Sequence, residues 1–287
     1  RSLADVQPDD VLLMQFTSGT TSYPKGVMLT HDNMLRNAAY IARRFDCRAG
    51  DRYFSARPFY HVAGSTLSLL AALASGACLA SAPFFDPAEV LRVMAEEKCT
   101  LTSGNDTMFL MLLNHPDFAK YTFNLRGGWV SCGPEVSRQL VDKMNMRGLT
   151  QAYGLSEASP NVCMSHYTDD LEIRIAGWAH ILDDLEVRIV DPESGKDMPP
   201  GEQGEILVRG WSVMKGYYKM PEQTAKAIDR DGWLHSGDLG VMDADGRLRF
   251  LTRLKDVFRV GGENVAPAEV EDVLHQHPAI RSEEHTS

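Results

Sequence analysis

Short apolar runs closed by Gly, Pro or Ser/Thr/Asp clusters alternate with stretches of helical period through the first two thirds of the chain. VLLMQF at 11–16 is such a run and predicts a buried strand feeding a turn. A helix is expected to follow, capped by Asp32 or Thr30, with Leu35, Ala38, Ala39, Ala42 and Phe45 on one face. A second helix start is written in Asp86, Pro87 and Glu89, an N-cap, a first-turn proline and an acidic third position ahead of Val90, Val93 and Met94. CTLTS at 99–103 reads as a strand, as do GGWVSC at 127–132 and LTQAYG at 149–154, with a helix near 135–146 between the last two. This alternation predicts a layered α/β fold with ligand loops at strand ends.

The texture changes near residue 183. EVRIVD, GEILVRG and RLRFLTR are short strands separated by turns such as DPESGKDMPPGE and DADG, the pattern of a small antiparallel unit. The expected organisation is therefore an α/β core over 1–182, an antiparallel β subdomain of the same domain over 183–252, and the opening of a further α/β domain over 253–280. In that last part Pro267 would start a helix carrying Val270, Val273 and Leu274.

Composition narrows the function classes. With 287 residues and 44% hydrophobic content the chain can bury a large core. Its net charge of −10 argues against general nucleic-acid binding, so an anionic ligand needs a local site. The cysteines at 47, 78, 99, 132 and 163 are widely spaced without a CxxC pair, which fits reduced thiols and a cytoplasmic setting. LSLLAALASGACLA at 67–80 is interrupted by Ser and Gly and falls short of a bilayer span, so no transmembrane segment is expected. The chain opens at Arg1 with neither a start methionine nor a leader pattern, and is expected to be cut from something longer. No feature of the pattern specifies an oligomeric state.

The densest chemistry lies in QFTSGTTSYPKGVMLTH at 15–31. Gly19 lets backbone N–H groups approach an anion, Thr17, Ser18, Thr20, Thr21 and Ser22 offer hydroxyl donors, and Lys25 adds a mobile positive charge. A polyphosphate is the ligand such a loop suits. It is not a Walker loop, because Pro24 precedes Lys25 and Gly26 follows it.

This loop resembles the phosphate-binding signature of the adenylate-forming superfamily of acyl-CoA synthetases, peptide-synthetase adenylation domains and luciferases. Four further segments resemble that family's motifs in the expected order: AYGLSEASP at 152–160, GEILVRG at 204–210, GWLHSGDLG at 232–240 and RLKDVFRVGGENVAPAEVE at 253–271. The resemblance is strongest to a fatty-acid-type acyl-CoA synthetase. It implies ATP, Mg²⁺ and coenzyme A, and a two-step reaction in which a carboxylic acid becomes acyl-AMP and is then passed to the CoA thiol.

Carried over by position, the resemblance places Glu157 on Mg²⁺ and Ser156, where the family usually has Thr, on a phosphate. Thr17 or Thr20 would assist the metal. The SCGPE segment resembles the adenine strip, with Cys132, Gly133 and Pro134 beside the base and Gly154 following Tyr153. Tyr153 would stack on adenine, although a lone Tyr before Gly also reads as a core or turn residue. Asp238 matches the ribose-binding acid, Arg253 a second nucleotide contact and Lys255 the hinge about which a small C-terminal domain rotates between half-reactions. Gly261, Gly262 and Glu263 match the loop that approaches pantetheine, and His61 the residue bordering the carboxylate and thiol channel. Without the motif GGEN reads as a turn, and His61 as a satisfied core histidine.

Departures from the family are specific. Ser22 stands where Gly is usual, and neither the region that normally precedes the loop nor the late catalytic lysine is in this sequence. RSEEHTS at 281–287 follows HPAI where the family has an apolar strand, and one codon choice for it spells a common sequencing adapter, so these residues are expected to be non-native. Two alternatives to a CoA ligase follow: an amino- or aryl-acid adenylation domain loading a carrier protein, and a nucleotide-binding fragment without turnover.

Overall fold

The computed structural model describes residues 5–17 and 24–256, together with the backbone of Phe258–Val260 and Glu263–Val265. The expected helix after Pro267, the residues of the phosphate loop from Ser18 to Ser22, Gly261, Gly262 and the 281–287 tail lie outside the described residues.

Strands β1 (Val11–Thr17) and β2 (Lys25–Thr30) form an antiparallel hairpin whose ends, Thr17 and Lys25, are paired across the register. The helix His31–Arg44 begins only after β2, so a strand stands where a direct passage from loop to helix was expected. Its signal is the period-two pair Val27 and Leu29, both fully buried against Met34, Val62, Met214 and Tyr217. β1 is not the buried strand its composition suggests: Val11, Leu12 and Phe16 are exposed and only Gln15 is buried. It is an edge strand, paired on one side alone in the order β1, β2 and a later two-residue strand Gly216–Tyr217.

Thr30, not Asp32, caps the helix: its hydroxyl accepts from the Asn33 N–H at 3.1 Å while Asn33 accepts from the Thr30 N–H at 2.9 Å. Reciprocal caps of this kind contribute about 1 kcal/mol. The buried face runs through Met34, Ala38, Ile41 and Ala42 and ends on Phe45, whereas Leu35 is exposed. Both buried asparagines on it bond backbone carbonyls, Asn33 that of Trp211 and Asn37 that of Asn161 at 2.9 Å, so polar contacts dock this helix beside the apolar ones.

Five parallel strands follow: β3 (Arg52–Phe54), β4 (Cys78–Ala80), β5 (Leu101–Asn105), β6 (Gly127–Ser131) and β7 (Gly148–Gly154). Alternate side chains feed opposite faces. Phe54 and Val130 pack against the helices Pro87–Glu96, Asp106–Leu113 and Pro134–Met144, while Tyr53 and Trp129 pack against His31–Arg44 and the helical run 62–75. Asp86 caps its helix as predicted, accepting from the Glu89 N–H at 2.9 Å. The apolar stretch at 67–80 turns out to be a π-helical segment Ser65–Leu70, the helix Ala71–Ser75, a left-handed Gly76 and β4. No helix among the described residues is long and apolar enough to cross a membrane. All five cysteines are free.

The antiparallel strands are β8 (Asn161–Met164), β9 (Ala179–Ile181), β10 (Leu185–Val190), β11 (Gln203–Gly210), β12 (Gly216–Tyr217), β13 (Leu234–Met242) and β14 (Arg247–Arg253). All but β12 join the parallel strands in one eleven-stranded sheet of order β10-β11-β13-β14-β9-β8-β7-β6-β5-β3-β4. β7 is the switch strand, parallel to β6 on one side and antiparallel to β8 on the other. Beyond β14 the chain makes a turn at Leu254–Asp256 and a short hairpin of β15 (Phe258–Val260) and β16 (Glu263–Val265).

Candidate nucleotide site

The site assembles where β7 ends, because the strand that switches the sheet from parallel to antiparallel pairing leaves its C-terminal loop between the two halves. Gly154 makes the exit possible: a Cβ there would stand 2.0 Å from the Pro160 carbonyl oxygen, which itself accepts from the Leu155 N–H at 2.9 Å. The loop folds back on the strand, and a short 3₁₀ turn over Ser156–Ala158 carries Glu157. From the antiparallel half, β13 and β14 pair Asp238 directly with Arg253. Glu157, Asp238 and Arg253 line one cavity together with Leu155, Tyr217, Leu234, His235 and Ser236.

Each carboxylate is held by a tyrosine. Tyr153 Oη donates to Asp238 Oδ2 at 2.8 Å, and Tyr217 Oη donates to Glu157 Oε1 at 2.8 Å. Asp238 is 5% exposed, and its other oxygen stands 3.8 Å from Arg253 Nε. Burial raises its pKa above the ordinary aspartate value, with Glu157 and Glu205 adding to the rise, and the Tyr153 bond and Arg253 only partly oppose it. Tyr217 is likewise raised by burial and then by the Glu157 charge, so it stays a donor at neutral pH. Lys25 Nζ sits 4.8 Å from the Tyr217 ring centroid, which links the phosphate-loop hairpin to the Glu157 wall.

Glu205 of β11 orders the turn before Asp238. Its Oε2 lies 3.0 Å from His235 Nδ1, its Oε1 accepts from the Gly237 N–H at 3.1 Å, and the Ser236 hydroxyl accepts from the Asp238 N–H at 3.0 Å. Tyr217 is not singled out by the sequence, and Glu205 and His235 appear there only inside their motifs, GEILVRG and GWLHSGDLG. GYY ahead of a proline-started helix is an ordinary strand end, and only the pairing of β12 with β2 brings its tyrosine to Glu157.

The remaining expected residues are placed unevenly. Tyr153 is buried with one ring face stacked on Phe250 at 5.2 Å, so of its two readings the core arrangement is the one seen, and its hydroxyl is what meets the site. Cys132, Gly133 and Pro134 follow β6: Gln151 Nε2 donates to the Cys132 carbonyl at 2.8 Å, and the Gly133 N–H donates to Asp106 Oδ1 at 3.0 Å. Pro134 starts the next helix, and none of the three lines the cavity. Burial pushes the Cys132 thiol up, so it is a neutral wall at neutral pH. His61 is exposed, not a core residue. Its Nδ1 accepts from the Ala63 N–H at 3.1 Å, and partial desolvation by the surrounding chain together with the Arg57 charge lowers its pKa although the residue is open to solvent on one side. Lys255 is exposed in the turn after β14, and Glu263 is described as backbone only.

Comparison with known proteins gives the family of the chain. A family model described as AMP-binding enzyme matches residues 1–218. The chain is 45% identical over 276 residues to the putative acyl-CoA synthetase YngI of Bacillus subtilis, covering 95% of itself and 50% of that protein. It is 37% identical over 281 residues to the mitochondrial medium-chain acyl-CoA ligase ACSF2 of Rattus norvegicus, covering 95% of itself and 46% of the relative. The chain thus spans about half the length of the curated relatives it matches. Among solved structures, ATP-bound MatB from Rhodopseudomonas palustris superposes with a TM-score of 0.84 at 31% identity, covering 96% of this chain and 54% of that one. With a family match over three quarters of its length, the chain belongs to the AMP-binding enzyme family.

Proposed function

We propose that the chain supplies the nucleotide- and acid-binding part of an AMP-forming acid–CoA ligase. The observation behind this reading is the convergence of Glu157, Asp238 and Arg253 on one cavity beside the closed end of the β1–β2 hairpin. Asp238 has two acceptor oxygens at the end of an ordered turn, the geometry needed to take both hydroxyls of a ribose. Arg253, largely exposed on the same rim, is free to turn towards the nucleotide. The hydroxyls of the loop between Thr17 and Lys25, with Lys25 itself, would hold the phosphate oxygens where negative charge builds as a carboxylate attacks the α-phosphate and pyrophosphate leaves. Ser156 would add a hydroxyl, and the strip Cys132–Pro134 with Gly154 would border the base. His61, Gly261, Gly262 and Glu263 would serve the second step, in which the CoA thiol displaces AMP, and Lys255 would be the hinge that brings them up.

Glu157 offers a single carboxylate, one oxygen of which already accepts from Tyr217. Among the described residues no three His, Cys, Asp or Glu side chains form a metal cage. That donor set fits Mg²⁺ arriving with the nucleotide and filling its shell with phosphate oxygens and water. Bound there, the ion would neutralise phosphate charge.

The acid is proposed to be a fatty or other hydrophobic one, a reading supported by the name of the rat relative, which states a medium-chain acyl group for that protein. The experiment is ATP binding by the 287-residue chain, followed by acid-dependent ATP–pyrophosphate exchange and CoA-thioester formation by a protein extended through the relatives' second half. ATP binding by the short chain and exchange only in the longer one are expected. A chain that is folded and does not bind ATP would sink the reading.

A further inference from the structure

Arg57, in the RPFYH segment just past the end of β3, is a cation with no anionic partner among the described residues. Its guanidinium carbon lies 4.7 Å from the centroid of the Trp129 ring, and its Nε is buried with no hydrogen-bond partner among the described residues. The titratable groups that sense it are Tyr53 and Cys132, kept neutral at neutral pH because burial raises their pKa values, and His61, whose pKa is lowered; burial lowers that of Arg57 itself. A desolvated guanidinium facing only neutral groups is expensive unless something negative arrives.

The surroundings are built to hold it there. Trp129 Nε1 donates to Tyr53 Oη at 2.7 Å, and Tyr53 Oη lies 2.9 Å from Ser103 Oγ, which fixes the indole plane. The segment after Arg57 is pinned as well: the Pro58 carbonyl accepts from the His61 N–H at 3.0 Å, and a Cβ on Gly64 would stand 2.2 Å from that carbonyl oxygen. Arg57 is half-buried, lies at the same end of the parallel sheet as Gly154, and its charge acts on His61 to lower the pKa of that ring. A planar guanidinium stacked on an indole keeps its N–H edge free for two parallel bonds to a carboxylate, which an ammonium in the same place would not offer.

We propose that Arg57, stacked on Trp129, is the residue that recognises a carboxylate of the acid substrate. The inference rests on the acid-activation reading above and adds to it the group that selects the acid. The carboxylate is either the reacting one or a second one at the far end of a dicarboxylic acid, and the two sources separate by experiment.

Octanoate, its dianionic counterpart suberate and uncharged octanamide are the probes, with dissociation constants taken from ligand-observed NMR titrations of the 287-residue chain and ATP binding measured in parallel. Wild type is expected to prefer an acid to the amide. Arg57→Leu is expected to weaken that acid at least tenfold, Arg57→Lys to fall between, and ATP affinity to stay within twofold, which shows that the variants fold. Equal losses for octanoate and suberate assign the reacting carboxylate, and a loss confined to suberate assigns the second. Wild type binding both acids no better than octanamide, or Arg57→Leu leaving acid binding unchanged, overturns the proposal. Carboxylate binding that depends on Arg57 in a chain that does not bind ATP would instead overturn the nucleotide reading and leave this one standing.

Discussion

Glu157 and Asp238 are the same device used in two settings. Both accept a tyrosine hydroxyl at 2.8 Å, and both line one cavity. Asp238 is buried, faces Arg253 and sits in a strand pair, whereas Glu157 is half-buried on a 3₁₀ turn with Lys25 beyond its tyrosine. The difference shows in the electrostatics. Burial overrides two favourable partners and raises the Asp238 pKa, so the fold is stabilised by the protonated acid, whereas the proposed ribose contact would need the ionised one. Glu157 keeps an accessible oxygen, which suits an ion that comes and goes with the nucleotide. On the proposed reading, one carboxylate trades stability for a fixed acceptor and the other keeps room for a metal.

Asp238→Asn is the sharpest way to break the comparison. ATP affinity is expected to fall by roughly a hundredfold, from the loss of charge-assisted bonds to the ribose, as read by calorimetry. Stability should move the other way. A raised pKa means that the stability linked to Asp238 is fully present below the unfolded aspartate value and is lost as pH rises through the folded one. The variant is therefore expected to melt at or above wild type at neutral pH, and a clear drop in Tm would show that the burial cost has been misjudged.

Glu157→Gln should lower ATP affinity by about tenfold with Mg²⁺ present and leave it unchanged in EDTA. Equal losses in both conditions would make Glu157 a direct nucleotide contact. Arg253→Leu removes a group that lowers the Asp238 pKa, so the acid-side fall in ATP affinity should begin at higher pH than in wild type. A pH profile that does not move would leave Arg253 no electrostatic part, in keeping with its exposure. The smallest effect is expected from Tyr217→Phe, about 1 kcal/mol in urea unfolding from one hydrogen bond to a carboxylate, with Tyr153→Phe costing somewhat more because its partner is the more buried.

Local chemistry was legible where it acts locally. The Asp86, Pro87 and Glu89 start is built as its residues prescribe, since a cap is decided within three residues. The choice between Thr30 and Asp32 needed the strand that ends at Thr30, and β2 itself was hidden because KGVMLT sits next to a stronger helical pattern. β1 misled for a related reason: an apolar run states that burial is available, and the edge position of the strand denied it. Tyr217 was invisible, and Glu205 was seen only as part of GEILVRG without a role, because each acts on a residue of another element, Glu157 and the His235–Gly237 turn, at a distance along the chain that no spacing rule covers.

By itself the sequence determined the α/β alternation, the short strands and turns after residue 183, the Asp86 cap and the order of the motif residues, all of which follow from periods and short-range hydrogen bonding. Tertiary structure alone decided that one strand, β7, would join a parallel half to an antiparallel one, and that Glu157 and Asp238 would share a cavity with a tyrosine each. It also decided that Arg57 would lie on Trp129 with nothing negative beside it among the described residues. Those outcomes depend on which buried surfaces meet and on how far a charge is taken from water, quantities that belong to the packed chain and not to any stretch of it.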